Sequence, residues 1–413
     1  MVRVLQRFPA LRVRNYRRYA LGQTASIGGT WLQSVALSWY VLEHHGSGRA
    51  VGLVFAAQFA PAVLLGAWAG VVADRYEARR IVLALQVFLG AQAIALAVAV
   101  FAGFTPLWAL VLLALWQGVG TSFDQPIRQG LMNDLVGDSE LPTAVAMNSA
   151  LVQMGLILGP ALAALLIHTV GTAWCFVVNA CSFGLMYVAI SSIRPSEMFH
   201  RDRRGAGDGT LRAGFAYIRS RRDIQTMLVV VVLSSLVAFR LEVLLPILAK
   251  DLHGGSALFS VMTMLRGAGA LVASLWFASR TTAPRPSQLR VASAIMCGSL
   301  AMLTIPSRTV VLIALVPAGI GLLSSMIVTL SLTQVVVSPE FRGRIVALWF
   351  VALNGGMVVG SLLTGAIADA RGPQFTFGVG AVSLAAIVVG LTRWTGTASV
   401  KRVGGLSRRN SGR

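Results

Sequence analysis

The stretch that decides the fold is Gly70-Val71-Val72-Ala73-Asp74-Arg75-Tyr76-Glu77-Ala78-Arg79-Arg80, in which five charges fall within seven residues. It separates two long apolar runs, 51–73 and 81–102. Each run is long enough to cross the hydrocarbon core of a bilayer as an α-helix, which takes about 20 residues. A connection this short and this charged is typical of a tight hairpin loop on one face of a membrane.

The composition is that of a membrane protein. Of the 413 residues, 56% are hydrophobic and 12% are charged, and the mean hydropathy is +0.73. A soluble protein has about 25% charged residues, so we expect most of this surface to lie in the lipid bilayer. A net charge of +20 would favour nucleic acid in a soluble protein, because arginine neutralises phosphates. Here the basic residues cluster in the loops, so we expect no nucleic-acid partner.

Twelve apolar runs follow one another, six on each side of a long polar stretch. They are continuous rather than alternating, which favours helices over the strands of a closed barrel. We therefore predict an all-α integral membrane protein with twelve transmembrane helices in two six-helix halves. The predicted spans are 19–42, 51–73, 81–102, 107–123, 143–168, 173–193, 226–249, 257–279, 291–305, 309–332, 345–368 and 375–394.

This pattern divides the chain into four segments. The predicted segments are an N-terminal half with a basic amphipathic start (1–193), a cytoplasmic linker (194–224), a C-terminal half (225–394) and a basic cytoplasmic tail (395–413). The basic linker could instead bind acidic lipid or a partner protein.

The distribution of Lys and Arg predicts the orientation. Of the 35 Lys and Arg residues, 29 fall on the side of the N-terminus and 4 on the opposite side. Basic residues accumulate on the cytoplasmic side of membrane proteins, so we expect both termini in the cytoplasm. The first run is too long for a cleaved signal peptide.

The sequence offers little support for an enzyme. Cys175, Cys181 and Cys297 fall inside apolar runs and are expected to be small buried residues, and His44-His45 is expected to be a surface pair. A phosphate-binding loop, a catalytic-triad spacing and a metal-ligand cluster are all absent from the sequence. We therefore expect neither catalysis nor a cofactor.

The spacing G-x-x-x-D-R at Gly70, Asp74 and Arg75 resembles the loop between helices 2 and 3 of major facilitator superfamily transporters. Four further stretches resemble its bacterial drug-exporter branch, which includes macrolide-efflux and enterobactin-exporter proteins. They are Phe-Asp-Gln-Pro-Ile-Arg-Gln at 123–129, Ala-Met-Asn-Ser at 146–149, Gly-Pro-Ala-Leu at 159–162 and Pro-Glu-Phe-Arg-Gly-Arg at 339–344.

The resemblance implies a gate at the cytoplasmic mouth. In this gate Asp74 caps the N-terminus of the eleventh span when the transporter faces outward. A carboxylate stabilises the positive end of a helix by about 0.3–1 kcal/mol. The family often has an arginine four residues after this aspartate, where this chain has Ala78, so a relay to Asp124 would use Arg75 or Arg79, or be absent. Alternatively, Asp74 and Arg75 form a solvated turn, and Asp124 only marks the end of its helix. The predicted gating residues are Gly70, Asp74, Arg75, Arg79, Asp124, Arg128, Arg342 and Arg344.

The fifth span contains Gly155, Gly159 and Pro160, which resemble the antiporter signature of proton-driven exporters. The family pattern ends in a pair of glycines, where this chain has Ala163-Ala164. The resemblance therefore favours proton antiport. Close packing of neighbouring helices explains the same residues equally well.

Three charged residues fall within predicted spans: Arg240, Glu242 and Arg266. A charge at this depth costs at least about 2.5–3.5 kcal/mol, so each should face a cavity or a partner. Arg240 and Glu242 lie about 200° apart on their helix at roughly 3.6 residues a turn. We therefore expect Glu242 to pair with Arg266, leaving Arg240 towards a cavity or an anionic substrate. Glu242 is either the proton or substrate site or one member of a fixed structural pair.

Polar and aromatic residues in the spans predict a substrate cavity. The first span has a polar stripe at helical spacing, which could line the cavity or pack against a neighbouring helix. The predicted cavity residues are Gln23, Thr30, Trp31, Gln33, Trp116 and Phe239.

The predicted function is export of small amphipathic organic molecules, such as drugs, siderophores or other metabolites, in exchange for protons by alternating access. Arg240 and Arg266 shift the expected substrates towards anionic or polar-headed compounds. We expect a monomer in the bacterial inner membrane. The alternatives are a transporter of lysophospholipid-like molecules or other metabolites without proton antiport, and a membrane sensor or scaffold that moves nothing.

Overall fold

In a computed structural model, the structure describes residues 9–199, 219, 221–238, 240–280, 284–338 and 341–396, which are almost entirely helical. The first half contains α1 (Arg14–His45), α2 (Gly48–Arg75), α3 (Ala78–Phe101), α4 (Leu107–Gly137), α5 (Thr143–Thr169) and α6 (Thr172–Ser191). The second half contains α7 (Arg222–Ala238), α8 (Arg240–Asp251), α9 (Gly255–Ala278), α10 (Pro286–Met302), α11 (Arg308–Val336) and α12 (Arg342–Gly396).

Two glycines join successive spans within continuous helical stretches. Gly137 separates α4 from α5 with φ 71° and ψ 177°, and Gly372 divides α12 with φ 82° and ψ 164°. A side chain is strained in this backbone region, which is essentially confined to glycine. α12 therefore contains two spans, before and after Gly372.

The twelve predicted spans match these helices. Among the described residues, nine stretches are long and apolar enough to cross a membrane, and α12 counts once although it holds two spans. The remaining two helices are α1, which has a stripe of polar residues, and α10, which has 17 residues. α7 and α8 together form the seventh span. The fold class predicted from the sequence is therefore confirmed.

Two details of the prediction were wrong. We ended the fourth span at Phe123 and placed Arg128 in a loop, but α4 continues past both and Arg128 is 8% exposed. The helix tolerates these charges because Arg128 has an acidic partner on the next turn. Cys181, expected to be buried, is exposed on α6, whereas Cys175 is buried as predicted.

α2 and the first part of α12 run antiparallel against each other. A side chain built on Gly52 would overlap the Ser361 carbonyl, and one on Gly365 would overlap the Gly48 carbonyl. We call the end near Gly48 and Gly365 the far face, and the end near Arg75 and Arg342 the motif face.

The two halves pack together at the far face. The largest hydrophobic cluster contains residues of both halves, and within it the rings of Trp39 on α1 and Phe259 on α9 stack at 6.3 Å. Towards the motif face the clusters separate. One holds Tyr16 and Leu131 of the first half, and another holds Ile224 and Ile345 of the second. The described part of the protein is therefore closed at the far face.

Candidate transport site and gating contacts

Glu242 and Arg266 form an ion pair between α8 and α9. Arg266 Nη1 donates to Glu242 Oε1. The arginine side chain is 5% exposed and the glutamate side chain 19%, and the neighbouring Leu241 and Val243 are fully buried. This is the partner that the sequence predicts for Glu242. Arg240 begins α8, and its side chain lies outside the described part of the structure.

The guanidinium of Arg266 has hydrogen-bond donors that the pair with Glu242 does not use. Its Nε and Nη2 atoms are buried and have no hydrogen-bond partner among the described residues. A buried donor without an acceptor costs about 1–3 kcal/mol, more for a charged group. The site can therefore bind a further acceptor, from either water or a ligand.

A second buried pair lies within the first half. Asp124 Oδ2 is 2.5 Å from Arg128 Nε, and the two side chains are 16% and 9% exposed. Arg128 also donates to Gln23 and Ser26 on α1 and to Gln86 on α3. The pair thus fastens α4 to two neighbouring helices.

The relay expected between the motif loop and Asp124 is not formed through Arg79. Arg79 instead donates to the carbonyls of Ile190 and Ser191, at 3.3 and 3.0 Å, and so caps the end of α6. Arg75 is exposed in the last turn of α2.

The other gating residues lie at the motif face. Asp74 is in the last turn of α2, and Arg342 begins α12. The side chains of Asp74, Arg342 and Arg344 lie outside the described structure. Gly70 is described, and a side chain built on it would have no atom of the described residues within 4 Å. At Gly70, α2 is therefore not packed against the described part of another helix.

The glycines of the fifth span bring α5 close to α1. A side chain built on Gly155 would overlap Ile27, and one on Gly159 would lie 2.5 Å from Trp31 Cβ and 2.9 Å from the Leu32 nitrogen. Pro160 is buried. This geometry supports the packing alternative for these residues.

The predicted cavity residues do not converge on one space. Gln33 is fully buried and bonds to Gln92 on α3, Gln117 on α4 and Asn179 on α6, at 2.8–3.2 Å. Gln23 donates to Asn148 and accepts from Arg128. Both glutamines therefore hold the first half together, which favours the helix-packing alternative for the polar stripe.

The remaining candidates are less constrained. Thr30 bonds to the Ser26 carbonyl of its own helix, and Trp31 is half-buried against α5. Trp116 packs on Phe88 with ring centres 5.6 Å apart, and its buried indole nitrogen has no partner in the described ranges. Phe239 lies outside the described residues.

Asp369 makes a contact between the two halves that the sequence does not predict. It lies at the far-face end of the eleventh span and bonds to the start of α2. The sequence contains one indication of this contact. The pattern Gly-x-x-Ala-Asp of the motif loop, at residues 70–74, occurs again at 365–369.

Twelve membrane-spanning helices in two halves that pack together at the far face, with a buried ion pair between two of the helices, are typical of a membrane transporter. A family model for transmembrane secretion effectors, within the major facilitator superfamily, matches residues 6–401. The chain belongs to this family.

The chain is similar to curated proteins that are named for siderophore transport and drug efflux. The staphyloferrin A transporter of Staphylococcus aureus is 23% identical over 373 residues, which cover 87% of this chain and 91% of the relative. Macrolide efflux protein A of Streptococcus pyogenes is 22% identical over 365 residues, covering 86% and 90%. The superfamily and the drug-exporter branch predicted from the sequence are confirmed.

A solved structure gives the same fold. The nucleoside transporter NupG has a TM-score of 0.71 at 12% sequence identity, covering 92% of this chain and 98% of NupG. At this identity the likeness shows the fold alone.

Proposed function

We propose that the protein exports small, polar-headed amphipathic molecules in exchange for protons, by alternating access. Its two halves, joined by the linker 194–224, would rock about a site at the Glu242–Arg266 pair, with both termini in the cytoplasm. The name of macrolide efflux protein A supports export, and the excess of basic residues on the motif side supports the orientation.

The observation that carries the proposal is the half-satisfied pair itself. Glu242 is a carboxylate at span depth, and the adjoining guanidinium has two buried donors without partners in the described structure. A structural pair normally satisfies all its buried groups. Spare donors beside a titratable carboxylate are what a polar headgroup requires for binding.

Antiport requires that binding of the proton and binding of the substrate at this site exclude each other. A substrate donor, such as an amine or hydroxyl, would compete with the proton for Glu242, while a substrate acceptor binds the spare donors of Arg266. A purely anionic group on Arg266 would do the opposite. It would weaken the stabilisation of ionised Glu242 and so favour protonation, which gives symport. Antiport therefore selects headgroups that present a donor to Glu242.

The closed far face and the separated motif face fit the loading step. With the motif face in the cytoplasm, the conformation described here would take up substrate from inside the cell. Closure of the motif face and opening of the far face would then release it outside.

Gradient-driven dye efflux from vesicles tests the proposal. We expect Glu242→Gln to abolish efflux driven by a proton gradient while substrate binding persists. Glu43→Gln provides the matched control, because Glu43 is an exposed carboxylate of α1. Normal efflux by Glu242→Gln, with only an earlier melting transition, would make the pair structural and refute its coupling role.

One observation favours a second candidate, movement of lysophospholipid-like molecules without strict antiport. A cavity of about 490 Å³ lies between α9, α10 and α11, with mostly apolar lining. At its motif-face end the Arg280 guanidinium stacks 3.8 Å from the centre of the Trp276 ring. An acyl chain with an anionic headgroup matches this arrangement. Movement of a fluorescent lysophospholipid without a proton gradient, slowed by Arg280→Gln, would establish this function instead.

A further inference from the structure

Asp369 caps α2 across the boundary between the two halves. Its Oδ1 accepts a hydrogen bond from the Gly48 nitrogen at 2.6 Å, and its Oδ2 accepts from the Arg49 nitrogen at 3.0 Å and from Ser47 Oγ at 2.7 Å. The first four amide groups of a helix have no partners within that helix. Asp369 accepts from two of them and shares the Arg49 amide with Ser47, the N-cap residue, whose hydroxyl also accepts from the Ala50 amide. Its carboxylate adds a negative charge at the positive end of α2.

The carboxylate acts here as a helix cap more than as an ion-pair partner. The Arg49 guanidinium is 3.8 Å from Asp369 and the arginine side chain is 69% exposed, so solvent screens this attraction. The three hydrogen bonds are shorter and more numerous. Two come from backbone amides of α2 and the third from the hydroxyl of Ser47 just before it, so together they fix the position of the start of α2.

The helices approach closely around this cap. A side chain built on Gly48 would lie 2.9 Å from Ile247 and 3.0 Å from Asp369 Oδ1, and one on Gly365 would overlap the Gly48 carbonyl. Asp369 can reach the α2 amides because Gly365, four residues earlier, lets the two backbones meet. Both residues belong to one Gly-x-x-Ala-Asp segment, 365–369, which we call the far-face latch.

The same segment occurs at the other end of the helix pair, as Gly70 to Asp74 of α2. There Gly70 is open in this conformation. α2 and the eleventh span, the part of α12 before Gly372, thus each have Gly-x-x-Ala-Asp near their end. Asp369 of one segment contacts the partner helix, and the glycine of the other has no neighbour among the described residues.

We propose that Asp369 is a positioning residue that holds the far face closed and must release α2 when the far face opens. The inference rests on the alternating access of the proposed function and identifies the contact that opposes outward opening. Loss of the cap would favour the far-face-open state by about five- to tenfold, the range of a typical helix cap.

Distances between spin labels test this in the full chain in lipid nanodiscs, after replacement of the three native cysteines. Labels at Phe104→Cys and Ile305→Cys lie on exposed far-face turns of the two halves. We expect Asp369→Asn to raise the ratio of long to short distances about five- to tenfold, since the amide nitrogen cannot accept the bonds now made to Oδ2. Arg49→Gln should change the ratio less than twofold, and the control Glu43→Gln should leave it unchanged.

Two results would overturn the latch. One is a ratio unaltered by both Asp369→Asn and Asp369→Ala in protein that melts like wild type. The other is a larger effect of Arg49→Gln than of Asp369→Asn, which would make the contact an ordinary ion pair. Failure of the proposed function would give another result. The label distances would still respond to Asp369→Asn, but wild-type protein would export none of the substrates tried.

Discussion

Gly52 and Gly70 lie on the same side of α2, since roughly five turns at about 3.6 residues each separate them. Gly52 is packed against the Ser361 carbonyl, whereas a side chain on Gly70 would have no neighbour within 4 Å among the residues that the structure describes. The α2–α12 pairing sets 48 opposite 365 and 52 opposite 361. Continued towards the motif face, the same register brings Gly70 opposite Gly343. We therefore expect this end of the pair to close in another step of the cycle.

A bulky residue at Gly70 should block that closure without harming the fold. We expect Gly70→Leu to melt within a few degrees of wild type, because the position is open, and to export at least about tenfold more slowly, because overpacking in a tight contact costs about 1–3 kcal/mol. Export rate and melting temperature of the purified protein check both parts.

Gly298→Leu is the matched control, since Gly298 on α10 likewise has no described atom within 4 Å of an added side chain, and it is exposed whereas Gly70 is half-buried. It should affect neither quantity. Wild-type export by Gly70→Leu would show that α2 and α12 do not approach each other at Gly70.

The buried pair predicts a non-additive effect on stability. Glu242→Met leaves Arg266 buried without its partner, which should cost about 3 kcal/mol. Glu242→Met combined with Arg266→Met should be less destabilised than Glu242→Met alone, because no charge then remains. Melting temperatures of the single and double variants in detergent form the test. Additive losses would mean that the two side chains do not interact.

Arg128 should contribute far more to stability than the exposed Arg80. Arg128→Met would leave Asp124 without its ion pair and remove three further hydrogen bonds, at a cost of about 2–4 kcal/mol. Arg80 lies 2.6 Å from Glu77 but is 82% exposed, so Arg80→Gln should cost under about 0.5 kcal/mol. Equal melting temperatures of the two variants would contradict this ranking.

The glycines of α5 distinguish packing from coupling. Gly159→Leu cannot fit between α5 and Trp31, so we expect a lower melting temperature and a lower yield of folded protein. If packing is the sole role, the number of protons exchanged per substrate stays constant in the protein that does fold. A changed ratio would restore the antiporter interpretation suggested by the resemblance.

The helices could be predicted because the bilayer requires long apolar runs, and each of these is visible in the sequence. The pairing of Glu242 with Arg266 could also be predicted from the sequence, since a charge at span depth needs a partner and few other charged residues lie within the spans. The charge of Arg128 indicates the end of a span, yet the residue lies inside α4, because Asp124 one turn earlier forms an ion pair with it.

The amide cluster around Gln33 and the contact of Asp369 with Gly48 were not predicted. Both depend on which helices are neighbours, and hydropathy does not contain that information. Gln92 and Asn179 lie in separate spans, far from Gln33 in the sequence, and only the packed bundle brings the three amides together.

The most direct test of the central claim is the release of protons on substrate binding, measured with a pH indicator in weakly buffered detergent solution. If a substrate donor displaces the proton from Glu242, wild-type protein that starts at a low pH, with the carboxyl group protonated, should release protons as substrate is added. The variant Glu242→Gln should bind the same substrate and release none. Proton uptake by wild type, or equal release from the variant, would contradict competition between substrate and proton at Glu242.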